Sequence, residues 1–349
     1  MWNRTFSPRI IEQNLTSSSP EFFDSWAVLA GFGVILLAGI LAGVYDICTL
    51  RRQEEWGHFH VYLLAITIVD LIAIVLDYPG FVIVSVIHTS EPWPFGAVAC
   101  FIWQYIDWVT QPINVLLTVG LLVEQFQSSR AKKAAQSQKR SHVNICLIFS
   151  AIWAVSTLIC LPALILLRSS AEDLGKTCSI NHYDFSYWLI SYFIAGLIVP
   201  FLLIAVYLTH SLISTVKERR SILSSQKRHF CVTLSTVSSQ VEFVQTETAL
   251  EGPTEMGTTS PEKCRQKRVA STMAVLVLVC YGPWSLCGLL GFWLTALQSH
   301  TVLVPLYWLI MLFPIVHPLA IYVCHWTCRW QAMEGIVRLC LTVHPFSIH

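Results

Sequence analysis

Seven separate apolar runs, at about 26–50, 60–86, 98–123, 143–167, 187–213, 269–296 and 302–323, constrain this chain more than any other feature. Each is long enough to cross a bilayer, which takes roughly 20 predominantly apolar residues. Lipid offers the backbone no hydrogen-bond partners, so runs of this kind must satisfy their own amides as helices. A soluble protein of this length would read as two domains. Here charged residues make up only 12% and mean hydropathy is +0.59. The predicted fold is therefore all-α, a seven-transmembrane helix bundle over 26–323. The first run is not a cleavable signal. It follows 25 mostly polar residues, lacks a basic leading region and is too long.

Orientation follows from lysine and arginine, which concentrate on the cytoplasmic side of membrane proteins. The segments 51–59, 127–142 and 214–268 and the C-terminal tail hold 18 of the 22. The N-terminus is thus expected outside and the C-terminus in the cytoplasm. Residues 1–25 form the outer tail, and Asn3 and Asn14 open glycosylation sequons there (Asn3-Arg4-Thr5 and Asn14-Leu15-Thr16). Half of the 12 cysteines lie within spans, where they act as small hydrophobes. Cys100 and Cys178 instead face the oxidising side and are predicted to bond. Residues 233–260 are rich in Ser, Thr and Glu, and the stretch from about 219 to 262 reads as a disordered cytoplasmic loop. The tail 324–349 opens with Trp326, Trp330, Met333 and Val337 at helical spacing. That pattern fits a short amphipathic eighth helix on the inner leaflet, with membrane lipid as its partner. Cys324 and Cys328 beside it are palmitoylation candidates, or else free thiols. The net charge of +1 carries no argument for nucleic acid, and none is expected as a partner. No internal repeat, close His/Cys cluster or nucleophile motif points to a transporter or enzyme, so no metal and no cofactor is expected.

The third span carries the most chemical information. Asp107, Gln111, Asn114, Thr118 and Gln125 fall at i, i+4, i+7, i+11 and i+18, within about 40° of one line at 100° per residue. That polar face must look into the bundle. Ionisable groups at membrane depth are costly and mark functional positions. Asn114 and Thr118 read as helix-packing hydrogen bonds. Asp107, among Trp103, Tyr105 and Trp108, reads as a site for a cation. Pro112 should loosen the helix just below it. On the second span Asp70 and Asp77 are seven residues apart on one helical face, where they repel unless a proton, cation or donor intervenes. His317 on the seventh span is the natural donor to a membrane carboxylate.

These residues, in this order, resemble the rhodopsin-like (class A) G-protein-coupled receptors over nearly the whole chain. The segment from His60 to Asp70-Leu71, with Pro79 beyond it, resembles the family's second helix. Trp93-Pro-Phe95-Gly96 to Cys100 matches the start of the third. Trp153 and Pro162 resemble the fourth-helix pair, and Pro200 the fifth-helix proline. Cys280-Tyr281-Gly282-Pro283 resembles Cys-Trp-x-Pro, and His317-Pro318 to Tyr322 resembles Asn-Pro-x-x-Tyr. The resemblance implies a ligand pocket between the outer halves of helices three, five, six and seven, and a cytoplasmic cleft for a heterotrimeric G protein or arrestin at the plasma membrane. Asp107 stands where some members carry a carboxylate for a cationic ligand. Gln111, Tyr192, Tyr307 and Trp308 would join it, with Tyr281 and Trp284 as the pocket floor. The Tyr192-Phe193 wall lacks the serine pair of catecholamine sites.

The departures are as specific as the matches. The family's Asp-Arg-Tyr is Glu124-Gln125-Phe126 here. Tyr207 falls one residue early and Tyr322 one residue late, with Ile321 in its place. Gln125 cannot make the charge-assisted, bidentate contacts of Arg and is left with neutral hydrogen bonds. Glu124, Gln125, Tyr207 and Tyr322 would form the cytoplasmic switch. Asp70 and Asn114 remain from the family's ion-binding core, and His317 is expected to pair with Asp70 and displace sodium. Two functions compete: a cell-surface receptor for a cationic small molecule or peptide, and a receptor-derived protein with weak or no coupling that acts through partners or trafficking.

Overall fold

The structure, a computed structural model, describes residues 25–52, 57–83, 93, 95–130, 142–169, 178, 190, 192–237, 261–291, 294 and 300–343. The sequons at Asn3 and Asn14, and residues 238–260, lie outside them. Among the described residues there is no strand, and the chain forms a seven-helix bundle. We number the helices α1 (Ser25–Arg51), α2 (His58–Val82), α3 (Gly96–Arg130), α4 (His142–Ser169), α5 (Tyr192–Ile198 continuing as Val199–Val237), α6 (Pro261–Leu290) and α7 (His300–Val343). Six contain apolar stretches long enough to cross a membrane, and α4 has a shorter one, Cys146–Pro162. Helix α3 is the axis and packs against α2, α4, α5 and α6, while α7 bridges α6 and α1. The cysteines Cys100 and Cys178 form a disulfide that ties the outer end of α3 to the chain before α5.

Two boundaries differ from the sequence reading. The loop expected from about 219 is helical as far as Val237, an extension of α5. It contains no glycine or proline over 201–237 to stop the helix once it has left the membrane. Likewise α7 continues as helix through the expected eighth helix to Val343. In that extension the side chain of Trp326 is exposed, and that of Cys328 lies outside the described set.

Prolines explain most irregularities. A proline has no N–H and crowds the carbonyl four residues earlier. Helix α2 widens into a π turn at Ala73–Asp77, just before Pro79, and α5 opens with one at Tyr192–Ile198, just before Pro200. Helix α3 does not loosen at Pro112, contrary to expectation; it is helical throughout. The carbonyl that Pro112 orphans, that of Trp108, accepts from the Tyr192 hydroxyl (3.2 Å) and the Cys160 thiol (3.4 Å). Pro314 orphans the Ile310 carbonyl in the same way, and the Tyr78 hydroxyl donates to it at 3.4 Å. Neighbouring helices thus supply donors to the carbonyls that Pro112 and Pro314 orphan.

Loss of either hydroxyl should therefore cost stability without altering side-chain volume. Tyr192→Phe and Tyr78→Phe are each expected to destabilise by about 1 kcal/mol or more, since a buried acceptor loses its donor. Thermal melting of the full-length protein in lipid nanodiscs, with Tyr105→Phe as an off-proline control, measures this. Equal melting of all four proteins would refute the account.

Candidate functional site in the polar interior

The polar face of α3 looks into the bundle. Gln111, Asn114, Thr118 and Gln125 are buried and Asp107 is half-buried. Its groups are used in layers, each closed by residues from α2, α6 and α7.

The outer layer joins two carboxylates. The Tyr307 hydroxyl lies 2.8 Å from Asp107 Oδ1 and 3.1 Å from both oxygens of Asp77. Trp103 Nε1 donates to the Asp77 carbonyl (2.9 Å) and to Asp77 Oδ1 (3.2 Å). Gln111 Nε2 stands 3.5 Å from Asp107 Oδ1. Phe81 stacks on the Tyr307 ring at 3.8 Å and Trp284 meets it edge-on at 5.5 Å. Trp308, the next residue of α7, is half-buried. A hydroxyl has one proton to give, so two ionised carboxylates sharing it repel and call for a proton or a cation between them. Among the described residues neither carboxylate is in an ion pair with Lys, Arg or His.

Asp70 and Asp77, seven residues apart, both reach α3 and α7: Asp77 meets Trp103 and Tyr307, and Asp70, two turns deeper, meets Asn114 and His317. The indole of Trp103 lies flat on Gly80, and a Cβ there would collide with it.

In the middle layer, Asn114 Nδ2 donates to Asp70 Oδ1 (2.7 Å) and to the Tyr281 hydroxyl (3.1 Å). Tyr281 therefore belongs to this buried core, in edge contact with Phe313, rather than to the floor of an outer pocket. His317 Nδ1 lies 2.9 Å from Asp70 Oδ2. Two residues here were not singled out from the sequence: Asp46 on α1 and Thr67 on α2. Thr67 Oγ1 donates to Asp46 Oδ2 at 2.6 Å. An acid near the inner end of an apolar helix was the available signal for Asp46. Tyr192, expected to line the ligand pocket, is buried against Trp108 with its hydroxyl committed to the backbone.

Gln125 is buried, Glu124 is half-buried and Phe126 packs edge-on against His210 of α5 at 5.5 Å. Tyr207 is half-buried on α5. Tyr322 is half exposed and meets Tyr45 of α1 at 6.4 Å, away from Gln125. Its one-residue displacement turns it by about 100° around α7, and Ile321 takes the inward place. There Ile321 lines a small cleft with Leu50, Phe59, His60, Leu63, Arg265, Gln266 and Val269. The Cys324 sulfur lies 3.4 Å from Thr272 Oγ1 of α6 and is half-buried.

A sequence profile described as 7 transmembrane receptor (rhodopsin family) matches residues 44–328. The chain belongs to that family. Its members are receptors rather than enzymes, and this receptor is a multi-pass protein of the plasma membrane. Similar proteins include the human 5-hydroxytryptamine receptor 1D, 25% identical over 177 residues (50% of this chain, 45% of that protein). Mouse G-protein coupled receptor 182 is 22% identical over 235 residues (66% and 56%). The Alpha-1A adrenergic receptor of Oryzias latipes is 21% identical over 352 residues (95% and 71%). The matches to the first two span about half the length of those relatives.

Adding a methyl at Gly80 should push the Trp103 indole off Asp77. Gly80→Ala is expected to lower stability by about 1–3 kcal/mol, as overpacking does, and Gly80→Ala with Trp103→Phe should recover part of it. Melting of the three proteins is the measurement, and a Gly80→Ala receptor as stable as the wild type would overturn this packing.

Proposed function

We propose that this receptor binds a ligand bearing a positive charge, in the outer cleft beside α3, and passes the signal to a heterotrimeric G protein, with arrestin as a second cytoplasmic partner. The observation that carries this reading is the outer pair of carboxylates. Asp107 is half-buried beside Asp77, the two share the single Tyr307 hydroxyl, and neither has a cationic side chain as partner among the described residues. The rings of Phe81, Trp284 and Tyr307 stand beside them. A carboxylate in an aromatic setting suits an ammonium or guanidinium group. The name of the human relative contains such an amine, 5-hydroxytryptamine. The missing serine pair on α5 argues against a catecholamine. In this reading Asp107 contacts the ligand, Tyr307 yields its hydrogen bond to the incoming cation, and Asp77 holds Tyr307 and adds negative potential behind it.

The test is binding of 5-hydroxytryptamine and a panel of protonated amines and basic peptides to full-length receptor and to Asp107→Asn. Loss of one partner of a buried charge pair costs about 2–5 kcal/mol, so affinity for a cationic binder should fall by about 30-fold or more. Unchanged affinity in Asp107→Asn removes Asp107 from the site. A panel with no cationic binder removes the ligand class.

The second reading, partner binding without G-protein coupling, draws on the cytoplasmic end, where a neutral Gln125 stands at the position of the family's Arg and Tyr322 is half exposed against Tyr45. G-protein recruitment by wild type and by Gln125→Arg separates the two. Coupling by the wild type, little changed by the substitution, is the expected result. A response seen only in Gln125→Arg would favour the second reading.

A further inference from the structure

The middle layer holds an ionic arrangement that neither ligand binding nor G-protein docking uses. His317 of α7 is fully buried between two aspartates on two other helices. Its Nδ1 is 2.9 Å from Asp70 Oδ2 on α2, and its Nε2 is 3.9 Å from Asp46 Oδ2 on α1. Thr67 Oγ1 fills the second gap, 3.4 Å from Nε2 and 2.6 Å from Asp46 Oδ2. Asp46, Asp70 and His317 are exposed by 3%, 2% and 0%. Among the described residues no Lys or Arg pairs with either carboxylate. From α6 the layer is faced by Tyr281 and Cys280, and from α3 by Asn114.

We infer that His317 is an internal cation that staples α1, α2 and α7 into one body. Three observations support it. Two buried carboxylates need a countercharge, and the imidazole is the one basic group between them among the described residues. The short Nδ1–Asp70 contact does not lie along the ring N–H direction, so the two atoms make no aligned hydrogen bond despite 2.9 Å. A charged ring still gains Coulomb attraction in that pose, whereas a neutral one gains little. On the other side, Thr67 has one proton and two acceptors in reach, Asp46 Oδ2 at 2.6 Å and the Leu63 carbonyl at 3.0 Å, and the shorter contact to a carboxylate takes it. The oxygen then presents a lone pair to Nε2, which acts as a donor. A ring that carries a proton on both nitrogens is the imidazolium.

The consequence is conformational. Moving α7 relative to α1 or α2 separates buried charges on two sides at once. The links from this layer to α6 are uncharged: the Asn114–Tyr281 hydrogen bond of 3.1 Å and the edge contact of Tyr281 with Phe313, whose ring stacks on His317. Rearrangement at this depth therefore runs between α6 and an α1–α2–α7 block, with α7 held in place.

Two measurements test the staple. The first is nitrogen NMR of histidine-labelled full-length receptor in nanodiscs at neutral pH, with the His317 signals assigned by their loss in His317→Gln. Both ring nitrogens should carry hydrogen, and in Asp46→Asn the Nε2 signal should shift. An unprotonated ring nitrogen in the wild type overturns the proposal. The second is a melting cycle of Asp46→Asn, His317→Gln and the double variant. Each single change should lower the melting temperature by several degrees, and the double should fall little beyond the larger single. Simple additivity means that Asp46 and His317 act independently, and the staple is rejected. Binding by Asp107 is not involved in either readout, so failure here leaves the proposed ligand site standing, and the reverse.

Discussion

A polar group left without a partner in a bilayer costs several kcal/mol, and the whole interior of this receptor is arranged around that constraint. It acts first on the backbone. Prolines inside membrane helices remove donors, and the protein answers in two ways. On α2 and α5 the turn before the proline widens. On α3 and α7 a tyrosine hydroxyl from another helix reaches the orphaned carbonyl. The second answer has consequences beyond repair: the tyrosine hydroxyls cross-link α5 to α3 and α2 to α7.

The same constraint then orders the side chains. Helix α3 carries amides and hydroxyls down one face, and they meet polar residues from α2, α6 and α7. The charged members are grouped by what can neutralise them. Asp46 and Asp70 share an imidazole, whereas Asp77 and Asp107 share only a hydroxyl. That difference in internal countercharge is the physical distinction between a layer that holds helices together and a layer open to a cation from outside.

The rhodopsin-family features sit on this frame unevenly. The outer disulfide, the α3 polar stripe and the proline positions lie where the resemblance implied. At the cytoplasmic end Tyr322 departs from the resemblance, because a shift of one residue along a helix is a rotation of about 100°: it faces Tyr45 on α1, and Ile321 is turned inward.

Much was legible in the sequence because it depends on local period and lipid solvation. The number of spans, the inward face of α3, the isolation of Cys100 and Cys178 from the other cysteines, and the membrane depth of Asp70, Asp107 and His317 all come from residue spacing along single helices. Spacing along one helix cannot carry proximity between helices. The pairing of Asp77 with Asp107 through Tyr307 required α7 to be packed beside α2 and α3. The roles of Tyr192 and Tyr78 required knowing which carbonyl each hydroxyl meets. Asp46 entered only when α1 was packed against α2 and α7. The sequence by itself determined that this chain is a seven-helix membrane bundle with an acidic, amide-lined interior, because bilayer thickness and the cost of buried polarity act on each helix alone. Which charges share a partner was decided by the tertiary structure, because Coulomb and hydrogen-bond energies depend on distances of a few ångströms between groups on different helices.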